Sequence, residues 1–347
     1  MKKTISIGPV NDFLYILLCF FKWACHLPKS LVFKVVTIEG ISQEDTSNFV
    51  LCYCGNGDNL GYLKNLSFSE IQKESISSLP IWRLRSKIKE IGKADNLLFV
   101  ETNRLLNFLL PSGAFRTFPW ISQKVFLNLN GQAGKRHNIE NFSKRKIRQN
   151  KYTFQVSSER ETVTEFYDKF YVPYIKSRFK NATHLRKKSE FLSAVKSGFL
   201  IQVLSGDGSW VAGAICKIKR KELIVLSFGL CPEYNYHLQR GAMSAVYYFI
   251  FEWAKKNSKE VVNLLRSRPN LQDGVFKHKH RWGAVAEMDM WPHTSIWIFV
   301  PQKSEIPEIY KKQLVLRENK FIELERLLDP LGIIKYQAGQ HKTMSLV

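Results

Sequence analysis

The strongest constraint on this chain is a run of apolar strands and one long helix in fixed order between residues 199 and 265. Phe199 to Leu204 reads as a strand, and Ser205-Gly206-Asp207-Gly208-Ser209 as a hairpin turn. Trp210 to Ile218 returns, and Glu222 to Leu230 forms a third strand after the polar break Lys219-Arg220-Lys221. All three are apolar on both faces or nearly so, which calls for a sheet covered on both sides. A helix from Arg240 to Lys256 follows, with Ala242, Ala245, Val246, Phe249, Ile250 and Trp253 on one stripe. Lys255 and Lys256 fall in its last turn, where cations suit the dipole. Val261 to Leu265 is a further strand. Upstream, Val163, Phe166, Tyr167 and Phe170 mark a helix from Glu159 to Tyr171, which Pro173 is expected to end. Helix, strand, hairpin strand, strand, helix, strand is an α/β (α+β) layer with an antiparallel portion.

The first half is less legible. Val32–Ile38 and Phe49–Tyr53 read as strands, the second followed by the turn cluster Gly55-Asn56-Gly57-Asp58. Further apolar segments lie at Leu97–Glu101 and Lys124–Leu129, the latter just after Pro119 and Trp120. No repeat emerges at a solenoid period. Between Gly134 and Lys151, seven cations from Lys135 to Lys151 are opposed only by Glu140. This is the expected junction between two halves, and 347 residues suffice for two domains. A helix is expected over Ile309–Leu327, with Glu323 and Arg326 compensating each other at i and i+3.

Composition excludes some classes and favours others. A 45% hydrophobic fraction excludes a disordered or fibrous chain. Lys plus Arg number 52 against 30 Asp plus Glu, and the formal charge of +22 attracts polyanions: nucleic acid, an anionic membrane face or a phosphate-bearing substrate. The cysteines Cys19, Cys25, Cys52, Cys54, Cys216 and Cys231 lack the spacing of a zinc site or a disulfide framework. Cys52 and Cys54 share one face of a strand and are expected as buried thiols in a reducing compartment. The apolar run Phe13–Phe21 is too short to cross a bilayer, and no cleavage site follows it. A buried helix is expected there, with a membrane-surface anchor as the alternative. The expected location is cytoplasmic, with peripheral membrane contact as the variant.

Four stretches carry a resemblance to a known family. They are Ser143-Lys144-Arg145-Lys146-Ile147-Arg148-Gln149-Asn150, Phe166-Tyr167 through Tyr171-Val172-Pro173, Val211-Ala212-Gly213-Ala214-Ile215, and Asp273-Gly274-Val275-Phe276-Lys277 followed by Arg281-Trp282-Gly283. With this element order, the chain resembles the GNAT acyltransferases and their FemAB-like branch, in which two such domains stand in tandem. The resemblance implies two GNAT-like domains with mixed central sheets flanked by helices. They would span 1–145 (non-catalytic) and 146–300 (carrying the site), followed by a helical extension over 301–347. It also implies transfer of an acyl or aminoacyl group to an amine, without metal, from acyl-CoA or aminoacyl-tRNA. The acceptor would be an amine such as a cell-envelope precursor. The family's pyrophosphate signature departs here: with Gly241 as its first glycine, Leu238 takes the leading Gln or Arg position. Gln239-Arg240-Gly241-Ala242 still opens a helix, where free N–H groups suit a phosphate.

Amide formation from an ester or thioester needs contact between donor and amine, a stabilised oxyanion and a proton acceptor. Backbone N–H groups of Ser227–Leu230 are the expected oxyanion donors, with Gly229 allowing close approach. Lys277, Arg281, Arg266 and Arg268 are the expected phosphate or carboxylate clamps. The resemblance also places a lysine at Lys277. Glu233 and Asp273, at strand C-terminal ends, are the candidate general bases, with cap or turn roles as the alternative. His278 and His280 share a face only if extended, no further ligands join them, and His237 reads as a loop residue. Two other readings stay open: a catalytically inactive GNAT-like scaffold, and a basic nucleic-acid-binding protein without a compact recognition motif.

Overall fold

The computed structural model describes residues 9–328 except 45, 95, 129–132, 180–184, 233 and 302–305. In chain order its elements begin with α1 (Pro9–Cys25), β1 (Val32–Ser42), β2 (Asn48–Gly55), α2 (Leu60–Ser67), β3 (Phe68–Pro80), α3 (Leu84–Lys93), β4 (Leu97–Asn103), β5 (Phe115–Thr117) and β6 (Ile121–Phe126). Next come α4 (Ala133–Asn150), β7 (Thr153–Ser157), α5 (Arg160–Glu165), α6 (Val172–Phe179), α7 (Lys188–Val195), β8 (Gly198–Leu204), β9 (Trp210–Lys219) and β10 (Glu222–Leu230). The remaining described elements are α8 (Tyr234–Gln239), α9 (Ala242–Lys256), β11 (Val261–Ser267), α10 (Gly274–Arg281), β12 (Val285–Glu287), β13 (Thr294–Phe299), α11 (Glu308–Lys311), β14 (Leu314–Arg317), β15 (Lys320–Glu323) and α12 (Leu324–Leu328). They form two units: one of Met1–Ile121, Arg268–Phe276 and Met288–Val347, the other of Ser122–Ser267 and Lys277–Glu287. Each is a mixed sheet flanked by helices, the fold class expected.

The second unit holds a seven-stranded sheet in the order β12-β6-β11-β10-β9-β8-β7. Strands β7 to β10 are antiparallel neighbours, whereas β10 and β11 are parallel and joined by α9. Its strands are apolar on both faces because both are covered. Ala242, Ala245, Val246 and Ile250 of α9 pack on one side, and Val163, Phe166 and Phe191 of α5, the turn after it and α7 on the other. Each fully buried valine, isoleucine or phenylalanine among them contributes roughly 1.5–3 kcal/mol of transfer free energy. The β8–β9 turn is fixed by Asp207, whose Oδ1 accepts from Ser205 Oγ at 2.6 Å and from the Ser209 N–H at 3.1 Å. This is the order of strands and helix expected from the sequence.

Pro173 does not end its helix. A wide turn over Phe166–Tyr171, in which the Val172 N–H reaches back to the Tyr167 carbonyl, re-registers the ladder just before the proline. Pro173 therefore sits in the first turn of α6, where a missing N–H leaves no ladder bond broken.

The first unit holds an eight-stranded sheet in the order β15-β14-β5-β13-β4-β2-β1-β3. It repeats the motif of a parallel pair: β2 runs beside β4 from Leu51↔Leu97 to Cys54↔Val100. Beyond those pairs the C-terminal end is filled by its own side chains. The carboxylate of Glu101, fully buried, accepts from the Tyr53 hydroxyl, from Asn59 Nδ2 at 2.7 Å and from the Asn59 N–H at 3.3 Å. Burial, aided by the charge of Asp58, raises the Glu101 pKa against the lowering effect of these donors. A Cβ on Gly55 would stand 2.8 Å from Glu101 Cβ, so the residues here are closely packed. Cys52 and Cys54 are buried free thiols in one cluster with Val100 and Ile88, as their spacing implied.

Two expectations of the first unit fail. Residues 309–327 do not form one helix. Buried Leu314 and Val315 start a hairpin whose turn residues Glu318 and Asn319 both have positive φ, the geometry that joins β14 to β15. These strands extend the eight-stranded sheet, although Arg326 still pairs with Glu323 at 3.3 Å. The N-terminal apolar run is helical but not buried. Of Phe13 to Phe21 only Cys19 is enclosed, because polar bonds hold α1 at its C-terminal end: Trp23 Nε1 donates to the Met290 carbonyl at 3.2 Å, and Asn103 Nδ2 donates to the Trp23 carbonyl at 2.7 Å.

Candidate functional site

In the second unit, β10 and β11 pair only at Glu222↔Val261, Leu223↔Val262 and Ile224↔Asn263. Past Ile224 the strands part, while β10 stays paired to β9 as far as Leu230↔Ala212. Both strands deviate where they separate. Strand β10 carries a bulge at Leu226, shifting the register against β9 between Val225 and Ser227. In β11, Leu265 adopts φ +58, a left-handed conformation that costs a non-glycine residue on the order of 1 kcal/mol or more. Asn263 supports that bend: its Oδ1 accepts from the Leu265 N–H at 2.8 Å, and its Nδ2 donates to Glu222 at 2.9 Å. Past Ile224 the edge of β10 that faced β11 has no ladder partner among the described residues.

The bulge changes the parity of β10, so Phe228 joins Leu223 and Val225 on the α9 side. Its ring stacks on Tyr247 at 4.6 Å. Tyr247 in turn meets the His278 ring edge-on at 4.7 Å and the buried Trp282 ring at 5.4 Å. From α6, Arg178 donates to the Tyr174 hydroxyl, and both groups act electrostatically on Tyr247. Four elements, β10, α6, α9 and α10, thus converge on His278. Its Nε2 is buried and makes no hydrogen bond among the described residues. Burial first, then the cations Arg178, Arg281 and Lys279, lowers its pKa to about 4. At neutral pH it is an uncharged imidazole with an open nitrogen.

The expected residues are distributed unevenly. Lys277 and Arg281 lie exposed on α10, and Arg281 is close enough to act on His278. Arg266 is exposed on β11, and its carbonyl accepts from the buried Lys279 at 2.8 Å. Arg268 belongs to the first unit. Its guanidinium lies between the rings of Tyr62 at 4.1 Å and Trp120 at 3.9 Å, and donates to Asn59 Oδ1 and the Pro119 carbonyl. It holds a loop in place. Gly229 admits no ligand: a Cβ there would be 2.9 Å from the Phe166 ring and from the backbone at Phe170, so the helix of this chain fills the space. Gly241, at φ +85, precedes α9, but a Cβ there would meet Lys146 at 2.9 Å. Helix α4 thus lies against the Gln239-Arg240-Gly241-Ala242 segment, with Asn150 donating to the Arg240 carbonyl at 3.0 Å. Asp273 is a helix cap whose Oδ1 accepts from the Phe276 N–H at 2.8 Å. Glu233 lies outside the described residues. His278 and His280 diverge on α10, His278 mostly enclosed and His280 exposed. Among the described residues, no three His, Cys, Asp or Glu side chains gather as a metal site.

Sequence reasoning missed Tyr174, Arg178 and Tyr247. The first two lie in the helix that Pro173 was expected to stop. Tyr247 falls beside the chosen α9 stripe, where the aromatic run Tyr247-Tyr248-Phe249 was the available signal.

No sequence-family model and no curated protein matches the chain. Among solved structures, FemX is similar at 11% identity and TM-score 0.41, covering 85% of this chain and 96% of that one. L-PGS from Bacillus licheniformis is similar at 12% identity and TM-score 0.37, covering 88% and 96%. A GCN5-related N-acetyltransferase from Sphaerobacter thermophilus is similar at 11% identity and TM-score 0.32, covering 72% and 71%. Scores and identities this low carry no functional argument.

Proposed function

We propose that the chain is a cytoplasmic N-acyl- or aminoacyltransferase whose site lies where β10 and β11 part. The observation that carries this reading is the opening itself: an unladdered strand edge whose Phe228 stacks on Tyr247, the ring that meets an uncharged His278 under the influence of Arg178 and Arg281. The donor is a phosphate-bearing ester or thioester, acyl-CoA or aminoacyl-tRNA, and the acceptor an amine such as a cell-envelope precursor.

In the reaction the amine nitrogen attacks the donor carbonyl, and a C–N bond forms. The oxyanion is held by N–H groups of the open β10 edge, and the C–S or C–O bond then breaks. His278 Nε2 takes the proton the amine loses and returns it to the departing thiolate or ribose oxygen. A base with pKa about 4 is weak; donor phosphates paired with Arg178 and Arg281 cancel the charge part of that depression, while the larger part, from burial, stays. Lys277 and Arg266, exposed on the same unit, extend the cationic rim.

The test is product formation by the purified protein with acyl-CoA and charged-tRNA donors and a panel of amines. His278→Gln should lower turnover roughly 10²–10⁴-fold, as expected for loss of a general base. A wild-type protein inert with every donor, yet stabilised by one of them, would favour an inactive scaffold. The filling of Gly229 and Gly241 by Phe166 and Lys146 supports that second reading.

A further inference from the structure

Helix α1 spans 17 residues, and its apolar run lies almost wholly in solvent. Phe13 is 69% exposed and Phe21 71%, and Leu14, Tyr15, Ile16, Leu17, Leu18 and Phe20 are also exposed. Exposure of consecutive residues means that the apolar surface runs around the helix rather than along one stripe. The patch continues beyond α1. The turn Arg104–Leu109, whose Arg104 lies over the Trp23 ring at 5.2 Å, projects Phe108 at 78% exposure. Lys22 lies 4.2 Å over the ring of Trp291, itself exposed.

We infer that this surface docks on an anionic lipid bilayer. Three observations select that occupant. A protein groove covers one face of a helix, whereas a hydrocarbon layer covers an all-round apolar segment. The nine residues Phe13–Phe21 rise about 14 Å, near half of a bilayer's hydrocarbon thickness, and no described helix is long and apolar enough to cross it. The charge of the sequence up to Glu39 is also complementary, with Lys2, Lys3, Lys22, Lys29 and Lys34 against Asp12 alone before Glu39. Trp23 and Trp291 flank the apolar segment on the side where α1 joins its unit, as aromatic side chains do at a membrane interface.

Sedimentation of the full chain with vesicles tests this. Vesicles of phosphatidylcholine mixed with phosphatidylglycerol should take up the protein, and phosphatidylcholine alone should take up less. Replacing Phe13→Asp and Phe21→Asp together should lower the partition coefficient about tenfold or more, with an unchanged circular dichroism spectrum and melting temperature. Replacing Lys22→Glu and Lys29→Glu should weaken binding to the mixed vesicles alone. Equal uptake of wild type and the phenylalanine variant would overturn the inference. So would light scattering that shows a dimer lost in that variant with vesicle uptake intact, since a second copy would then be the occupant.

Discussion

At the residue scale, His278 and Glu101 are shifted in opposite directions and predict opposite responses to pH. His278 has a folded pKa of about 4, below the ordinary 6.5, so its contribution to stability is complete above pH 6.5 and lost as pH falls towards 4. Chemical denaturation across that window should show a loss of up to about 3 kcal/mol that His278→Gln lacks. Glu101 has a raised pKa, so its contribution is present below 4.5 and lost as pH rises through the folded value. Glu101→Gln should therefore gain stability relative to wild type between pH 4.5 and pH 8. No pH dependence of that difference would mean that the carboxylate is better solvated than its enclosure by Tyr53 and Asn59 implies. Gly229→Ala places a methyl against Phe166 and should cost about 1–3 kcal/mol in a thermal or denaturant melt. The role of Gly229 is thus packing, and sequence alone could not separate that from ligand approach because both demand a missing side chain.

At the element scale, sequence pattern found what periodicity marks. The strands at 199–265 and helix α9 were legible because each is apolar over its length and bounded by turn chemistry. Strand β3 was not: its burial runs from Phe68 straight into exposed Ser69–Ser78, so no apolar alternation announces it, and pairing with β1 alone makes it a strand. The β14–β15 hairpin was missed because its turn, Glu318-Asn319, lacks the glycine that usually signals one. Pro173 misled in the other direction, because a single wide turn accommodated it and kept α6 helical. The consequence for the site is direct, since α6 supplies Tyr174 and Arg178. A further prediction concerns α4 and α9. Lys146→Ala uncovers the N-terminus of α9, and inorganic phosphate or CoA should then stabilise the protein more than it does wild type in thermal shift. An unchanged shift would place the donor's phosphates elsewhere on the cationic rim.

At the scale of the whole molecule, two units share the motif of a parallel strand pair but use its C-terminal end differently. In the first, Tyr53, Asn59 and Glu101 close that end with a hydrogen-bonded plug. In the second, a bulge and a left-handed leucine hold the strands apart. The plug was not legible in the sequence, because its members lie far apart in it. The net charge of +22 adds a solution property: retention on any polyanion should fall steeply with salt, whereas donor binding at the opening should persist.

The account turns on whether the opening between β10 and β11 transfers an acyl group. The most direct measurement is amide formation in single turnover by wild-type protein and by His278→Gln, with acyl-CoA and aminoacyl-tRNA donors, followed by mass spectrometry. The account predicts product with one donor class and a rate reduced at least about 10²-fold in the variant. Product formed at equal rates by both proteins would contradict the role of His278, and donor binding without product in any combination would contradict transfer itself.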